Sequence, residues 1–363
     1  MKELFKTVKN VEKVECSECG FKAHFLEPHL KEAHGLTPDD YESEVMSEPA
    51  KAYLKNLEAQ SRNEQIDFDI KKTFGTEIND SVKTVKGFKS PHANTPETDA
   101  DYFFRQRPLA VVLYASMKAN ERVLLTGPTG SGKSTIIEQV AARLNKPFYR
   151  VNLDNDITRS DFIGKDELKG DETRFLYGIL PKAMIEGAWL LVDEWDCANP
   201  GVAMVLQAVL EGKPLTITET GEVIYPHEDF RIFATSNTLG QGDDTGLYNG
   251  TQPQNFAQLD RFTLVEVIDY PKVAEEKKIL AKKTGINDSE ILDKFLKVGN
   301  LVRDAFLKEE IMTTMSTRTM VNIANKLKDF GDVKMAYELA YLNKLSKDDR
   351  TFCAEIIQRV WAV

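Results

Sequence analysis

Three features of the chain predict an α/β architecture: a parallel sheet between helices, followed by a helical C-terminal part. The apolar run Val123-Leu124-Leu125 opens into a glycine-rich turn, and then Ile136, Ile137, Val140, Ala141 and Leu144 recur at helical spacing. Two further apolar runs, 188–193 (AWLLVD) and 230–236 (FRIFATS), are short enough to be buried strands. From residue 272 onward the pattern is helical throughout, with a helix-start signal at Ser316-Thr317-Arg318.

A chain of 363 residues has room for two domains and an appended module. Hydrophobic residues make up 42% and charged residues 29%, the balance of a soluble globular protein. No apolar run approaches membrane-spanning length, and the start MKELFKTVKN lacks the apolar core of a signal peptide, so a cytoplasmic protein without membrane contact is expected. The net charge of −10 argues against nucleic acid binding over the whole surface. Four cysteines make no disulfide framework at this length; Cys197 and Cys353 stand alone and read as core.

In chain order, residues 16–34 come first. Cys16 and Cys19 are spaced C-x-x-C, and His29 and His34 are spaced H-x4-H. Two thiolates from a turn and two imidazoles from one helix face predict a tetrahedral zinc site, in a finger occupying 1–36. His24 is left over, out of phase with both pairs. The nine-residue gap between Cys19 and His29 makes the segment resemble the short-gap fingers of Ros/MucR-type regulators. Residues 1–35 carry six lysines and six glutamates, so a structural or protein-docking finger is expected ahead of a phosphate reader, with tethering to nucleic acid through the finger as the alternative. Residues 37–100 read as a linker: polar and helical to about 65, then an irregular arm over 75–101 broken by Gly75, Gly87, Pro91 and Pro96.

The core is expected over 101–271. A helix at 102–118 precedes the turn Gly127-Pro128-Thr129-Gly130-Ser131-Gly132-Lys133-Ser134-Thr135, which satisfies G-x-x-x-x-G-K-[ST]. Strand, glycine loop and helix in that order make a phosphate site, because backbone N–H groups and a helix N-terminus converge on one point. Lys133 would reach the β- and γ-phosphates of ATP, and the Ser134 hydroxyl would ligate Mg²⁺. A second strand is predicted at 147–152, a short helix at 157–164 and a hairpin at 165–178. The run 188–193 ends in Asp193-Glu194, sixty residues after Lys133. At the C-terminal edge of a parallel sheet, Asp193 would hold Mg²⁺ through water, and Glu194 would orient and deprotonate an attacking water. A helix at 202–211 and a hairpin at 215–225 follow; the strand 230–236 then delivers Asn237, whose amide can bond that water or the γ-phosphate. A last strand runs to Ile268, and the helices of 272–363 form a lid.

Taken together, the segment 101–318 resembles the AAA+ ATPases of the MoxR branch, nearest to the CobS-type subunits of aerobic cobaltochelatases. The residues that carry the likeness include FFRQRPLA at 103–110, RVNLD at 150–154, DFIGK at 161–165, GILP at 178–181 and VDEWDCANP at 192–200. FATSNTLGQGDDTGLYNGTQPQN at 233–255 and QLDRF at 258–262 are more specific still. The resemblance implies that 127–135 is the Walker A loop, Asp193 and Glu194 are Walker B, and Asn237 is sensor 1. It further implies that Arg261 is an arginine finger reaching a neighbour's γ-phosphate, and that Arg318 is sensor 2. A homo-oligomeric, hexameric ring is implied, with both hairpins facing its pore, a von Willebrand A-domain partner, and a client complex that inserts cobalt into a corrin ring. The finger at 16–34 is not part of that pattern.

Overall fold

The computed structural model describes residues 14–15, 22–23, 64–153, 157–169, 172–198, 200–238 and 256–362. Val14–Glu15 and Lys22–Ala23 pair as two short antiparallel strands. The zinc ligands expected at Cys16, Cys19, His29 and His34 lie outside the described residues, as does the specific GLYNGT stretch.

The arm differs from its sequence reading. Strand β1 (Gln65–Asp69) pairs antiparallel with β2 (Thr84–Phe88), so the supposedly irregular stretch holds half of a small sheet. Between them, a single helical turn from Ile70 is capped by Asp69, whose carboxylate accepts from the Lys72 N–H at 2.8 Å. Gly87, taken for a chain break, is a strand residue under close approach. A Cβ there would stand 2.5 Å from the Leu144 carbonyl oxygen, so only glycine lets the strand lie against the core.

Helix α1 (Gln106–Met117) tolerates Pro108 because it falls in the first turn, where no N–H acceptor is needed. Next come β3 (Arg122–Thr126), α2 (Lys133–Arg143) and β4 (Phe148–Asn152). The predicted short helix forms at Arg159–Ile163, held by a capping box between Thr158 and Asp161. Strands β5 (Gly164–Lys169) and β6 (Glu172–Tyr177) form the first hairpin. They are followed by α3 (Ile179–Glu186), β7 (Trp189–Asp193) and α4 (Pro200–Leu210). Strands β8 (Leu215–Ile217) and β9 (Glu222–Ile224) form the second hairpin, before β10 (Arg231–Ser236) and β11 (Leu264–Val267).

Five strands make one parallel sheet in the order β11-β3-β10-β7-β4. Alternation along each strand separates two apolar layers. Leu124, Leu190, Val192 and Ile232 face α3 and α4, whereas Val123, Leu125, Leu191 and Phe233 face α1 and α2. Register then decides chemistry. Thr126 is opposite Ser236, and Asp193 is opposite Asn152, so the strands deliver their last residues to one edge.

The C-terminal helices α5 (Val273–Thr284), α6 (Ser289–Leu307), α7 (Thr317–Phe330), α8 (Val333–Ala340) and α9 (Lys347–Trp361) enclose a third apolar cluster. One buried ion pair pins their geometry. The Arg303 guanidinium bonds both Glu276 oxygens, at 2.8 and 2.7 Å, and the Met315 carbonyl at 2.8 Å. The Thr317 hydroxyl also donates to Glu276, which ties α5, α6 and the start of α7 together beneath Arg318. Cys353 is buried as expected, while Cys197 is only half-buried, in the turn after Glu194. Among the described residues no helix is long and apolar enough to cross a membrane.

Candidate active site

The loop between β3 and α2 is shaped by what surrounds it. Gly127 has φ 140, and a Cβ there would run into the Ile268 carbonyl at 2.1 Å; Gly130 has φ 69, and a Cβ would strike Ser316 at 2.6 Å. The loop is therefore clasped between the end of the sheet and the first turn of α7. Arg105 fastens one side, donating to the Ser131 carbonyl at 3.0 Å and the Asp269 carbonyl at 2.7 Å. On the other side the Tyr270 hydroxyl donates to the Thr129 carbonyl at 3.1 Å, and the Tyr270 ring lies 3.9 Å from the Arg303 guanidinium.

A cavity of about 440 Å³ opens at this edge. Thr129, Gly130, Gly132, Lys133, Ser134 and Thr135 form its floor, Asp193, Glu194 and Asn237 come from the strand ends, and Arg318 comes from α7. Lys133 is 7% exposed, and its ammonium donates to the Gly127 carbonyl at 2.7 Å, the Pro128 carbonyl at 3.0 Å and the Asn237 side-chain oxygen at 3.0 Å. Burial pushes its pKa down to about 8, against the pull of Asp193 and Asp196. A phosphate beside Lys133 holds it protonated, while the free site loses that proton above about pH 8, so binding takes up a proton there. Nucleotide affinity is expected to fall about tenfold per pH unit above 8. Calorimetry at pH 9 in buffers of different ionisation enthalpy measures the uptake; none would mean Lys133 stays charged when free.

The two acids are placed by the neighbouring strand. Asp193 is 5% exposed; its Oδ1 accepts from the Ser134 hydroxyl at 2.7 Å and from the Thr235 hydroxyl. Glu194 stands in the left-handed region at φ 58, a conformation that costs a non-glycine residue about 1 kcal/mol. Its N–H bonds the Thr235 oxygen at 3.2 Å, so one threonine spaces both acids. Asp196, fully buried, accepts from the Asn237 N–H at 2.9 Å, the Thr238 N–H at 2.8 Å and the Thr238 hydroxyl at 3.0 Å. It thereby holds the strand end that carries Asn237. The serine hydroxyl and aspartate oxygens that converge here are the hard donors Mg²⁺ favours, so the residues fit that ion.

Residues 122–252 match the AAA domain (dynein-related subfamily), and 276–362 match the CbbQ/NirQ/NorQ C-terminal model. The chain is 39% identical to the aerobic cobaltochelatase subunit CobS of Sinorhizobium sp over 315 residues, 82% of this chain and 95% of that one. It is an AAA+ ATPase of the MoxR/CbbQ type. Protein NorQ of Paracoccus denitrificans is 30% identical over 251 residues, 69% of this chain and 89% of its own. The uncharacterized protein YojN of Bacillus subtilis is 29% identical over 239 residues, 64% of this chain and 75% of its own.

In this ATPase the cavity gathers most of the residues predicted for it, from three strand ends and the helix α7, which are far apart in sequence. Gly127 and Pro128 take part through their carbonyls, and Ser131 through the carbonyl that Arg105 grips. Arg261 stands outside the cavity formed by the described residues. Its guanidinium is held by Glu211, at 2.9 Å, and by the Ala257 carbonyl. Four site residues escaped the sequence reading: Arg150, Asn152, Thr235 and Asp196. Period-two spacing offered a signal for the first two, since Arg150 and Asn152 share one face of a strand whose last residue meets Asp193.

Proposed function

We propose that this ATPase works as a closed ring that remodels a partner complex, each catalytic site being completed by the next subunit. What carries the reading is a division of the arginines: Arg318 lines the chain's own cavity, whereas Arg261 is held outside it by Glu211. A cation that finishes a neighbour's site has to be offered outward. Within one subunit, Lys133 and the loop N–H groups would bind the β- and γ-phosphates, and Ser134 and Asp193 would hold Mg²⁺. The ion, when bound, neutralises charge on the phosphate oxygens. Glu194 takes the proton of the water that attacks the γ-phosphorus, Asn237 orients that water, and ADP departs with phosphate as the other product. Arg318 and the neighbour's Arg261 stabilise the charge spread over the transferring group.

The likeness to CobS over nearly all of that chain supports cobalt insertion as the task; a von Willebrand A-domain subunit and a large chelatase subunit are the partners that the family resemblance implies. Cobalt and corrin would then be held by the client. Light scattering with a non-hydrolysable ATP analogue tests the ring; a chain that binds the analogue and stays monomeric overturns it. Complementation tests the finer reading. Added to an aerobic cobaltochelatase that lacks its CobS subunit, the protein should restore ATP-dependent cobalt insertion, and full ATPase activity without insertion would point to another client.

A further inference from the structure

We infer that Arg150 is a built-in counter-cation for Asp193: it holds the carboxylate in the nucleotide-free chain, gives it up to Mg²⁺, and so sets how far nucleotide binding depends on the metal. The inference rests on reading Asp193 as the carboxylate nearest that ion. Arg150 lies on β4, two residues before Asn152, and its side chain lines the phosphate cavity. One guanidinium nitrogen bonds Asp193 Oδ2, and another bonds Glu138 Oε1 on α2 at 2.7 Å. Ser134 and Thr235 use the other Asp193 oxygen, so Arg150 occupies the side that they leave.

Electrostatics explains why a cation belongs there. Asp193 is nearly buried beside Glu194 and Asp196, and a buried carboxylate without a partner is costly. Lys133 is not that partner, since its ammonium bonds two loop carbonyls and Asn237. Among the described residues, Arg150 is the cation in contact with Asp193. A guanidinium and a divalent ion beside the same carboxylate repel each other, and either one compensates its charge, so Arg150 and Mg²⁺ compete for Asp193. Glu138 keeps the second grip, and it anchors Arg150 at the cavity wall once Asp193 is released. A planar fork can bridge two carboxylates in this way, which an ammonium does poorly.

Equilibrium binding of a fluorescent, non-hydrolysable ATP analogue to the full chain tests this, in excess EDTA and in saturating Mg²⁺. With Arg150→Ala, an uncompensated Asp193 faces the phosphates in EDTA, and affinity should drop about tenfold. With Mg²⁺ present the metal supplies the charge and the loss should be slight, so the ratio of the two affinities grows about tenfold. Arg150→Gln should give the same ratio and stands in if the alanine variant fails to fold. Arg150→Lys keeps the charge and should return the ratio to within about threefold of the parent. Equal losses in both conditions, an unchanged ratio, or a lysine ratio as displaced as the alanine one would each overturn the inference. If instead the parent itself binds equally well with and without Mg²⁺, the reading of Asp193 fails first.

Discussion

Glu194→Gln is expected to lower ATP turnover by about two to four orders of magnitude while nucleotide still binds. The amide has the shape of the carboxylate but cannot accept the proton of the attacking water. The backbone around it should hold, because the Glu194 N–H bond to Thr235 and the left-handed conformation at φ 58 do not involve the side-chain oxygens. Lys133 and Ser134, proposed to meet the phosphates and metal, are untouched. Removing one negative charge beside the triphosphate should also tighten nucleotide binding slightly. Phosphate release at saturating MgATP, together with equilibrium nucleotide binding, measures both halves of the expectation. Turnover near the parental rate would mean that another group activates the water.

Arg261→Ala is expected to lower turnover by about three to five orders of magnitude, the range known for arginine fingers. Its defect should also be repairable in trans. An Arg261→Ala subunit keeps its own Glu194, and a Glu194→Gln subunit keeps its own Arg261. In mixed rings, a site built from the first and completed by the second lacks nothing. Equal, random mixing makes about a quarter of all interfaces whole, because each contact joins two different faces of the chain. Activity should therefore rise from near zero in either variant alone toward that fraction in the mixture. Mixed assemblies that stay inactive would count against action between subunits, and would leave Arg261 as a clamp on Glu211 inside its own chain.

The parts of the site that were legible in the sequence share one property: local order carries them. Strand, glycine loop and helix at 122–143 form a unit whose backbone alone makes the phosphate cradle, so contiguous residues suffice to recognise it. The apolar runs ending in Asp193 and Asn237 told where the next site residues stood, because buried parallel strands leave a continuous apolar signature. What stayed hidden depends on pairing across strands. Thr235 matters because it lies on the strand beside the one that ends in Asp193. Asp196 matters because its carboxylate folds back onto the Asn237 and Thr238 N–H groups. Gly87 looked like a break for the same reason. Its meaning lies in the Leu144 carbonyl, which the chain reaches only after the whole glycine loop and its helix.

Charge shows the division most sharply. That Arg150, Glu138 and Asp193 are ionised side chains is plain from their names, but their grouping is set by sheet register and by the angle at which α2 packs. A strand slipped by one residue would turn Arg150 to the other face of the sheet. The sequence alone pointed to the groups proposed to bind and cleave a phosphoanhydride, since the required backbone and side-chain types lie in contiguous stretches. Tertiary structure decided how charges separated in the chain neutralise one another, because Coulomb energy depends on distance in space, and folding alone makes those distances short.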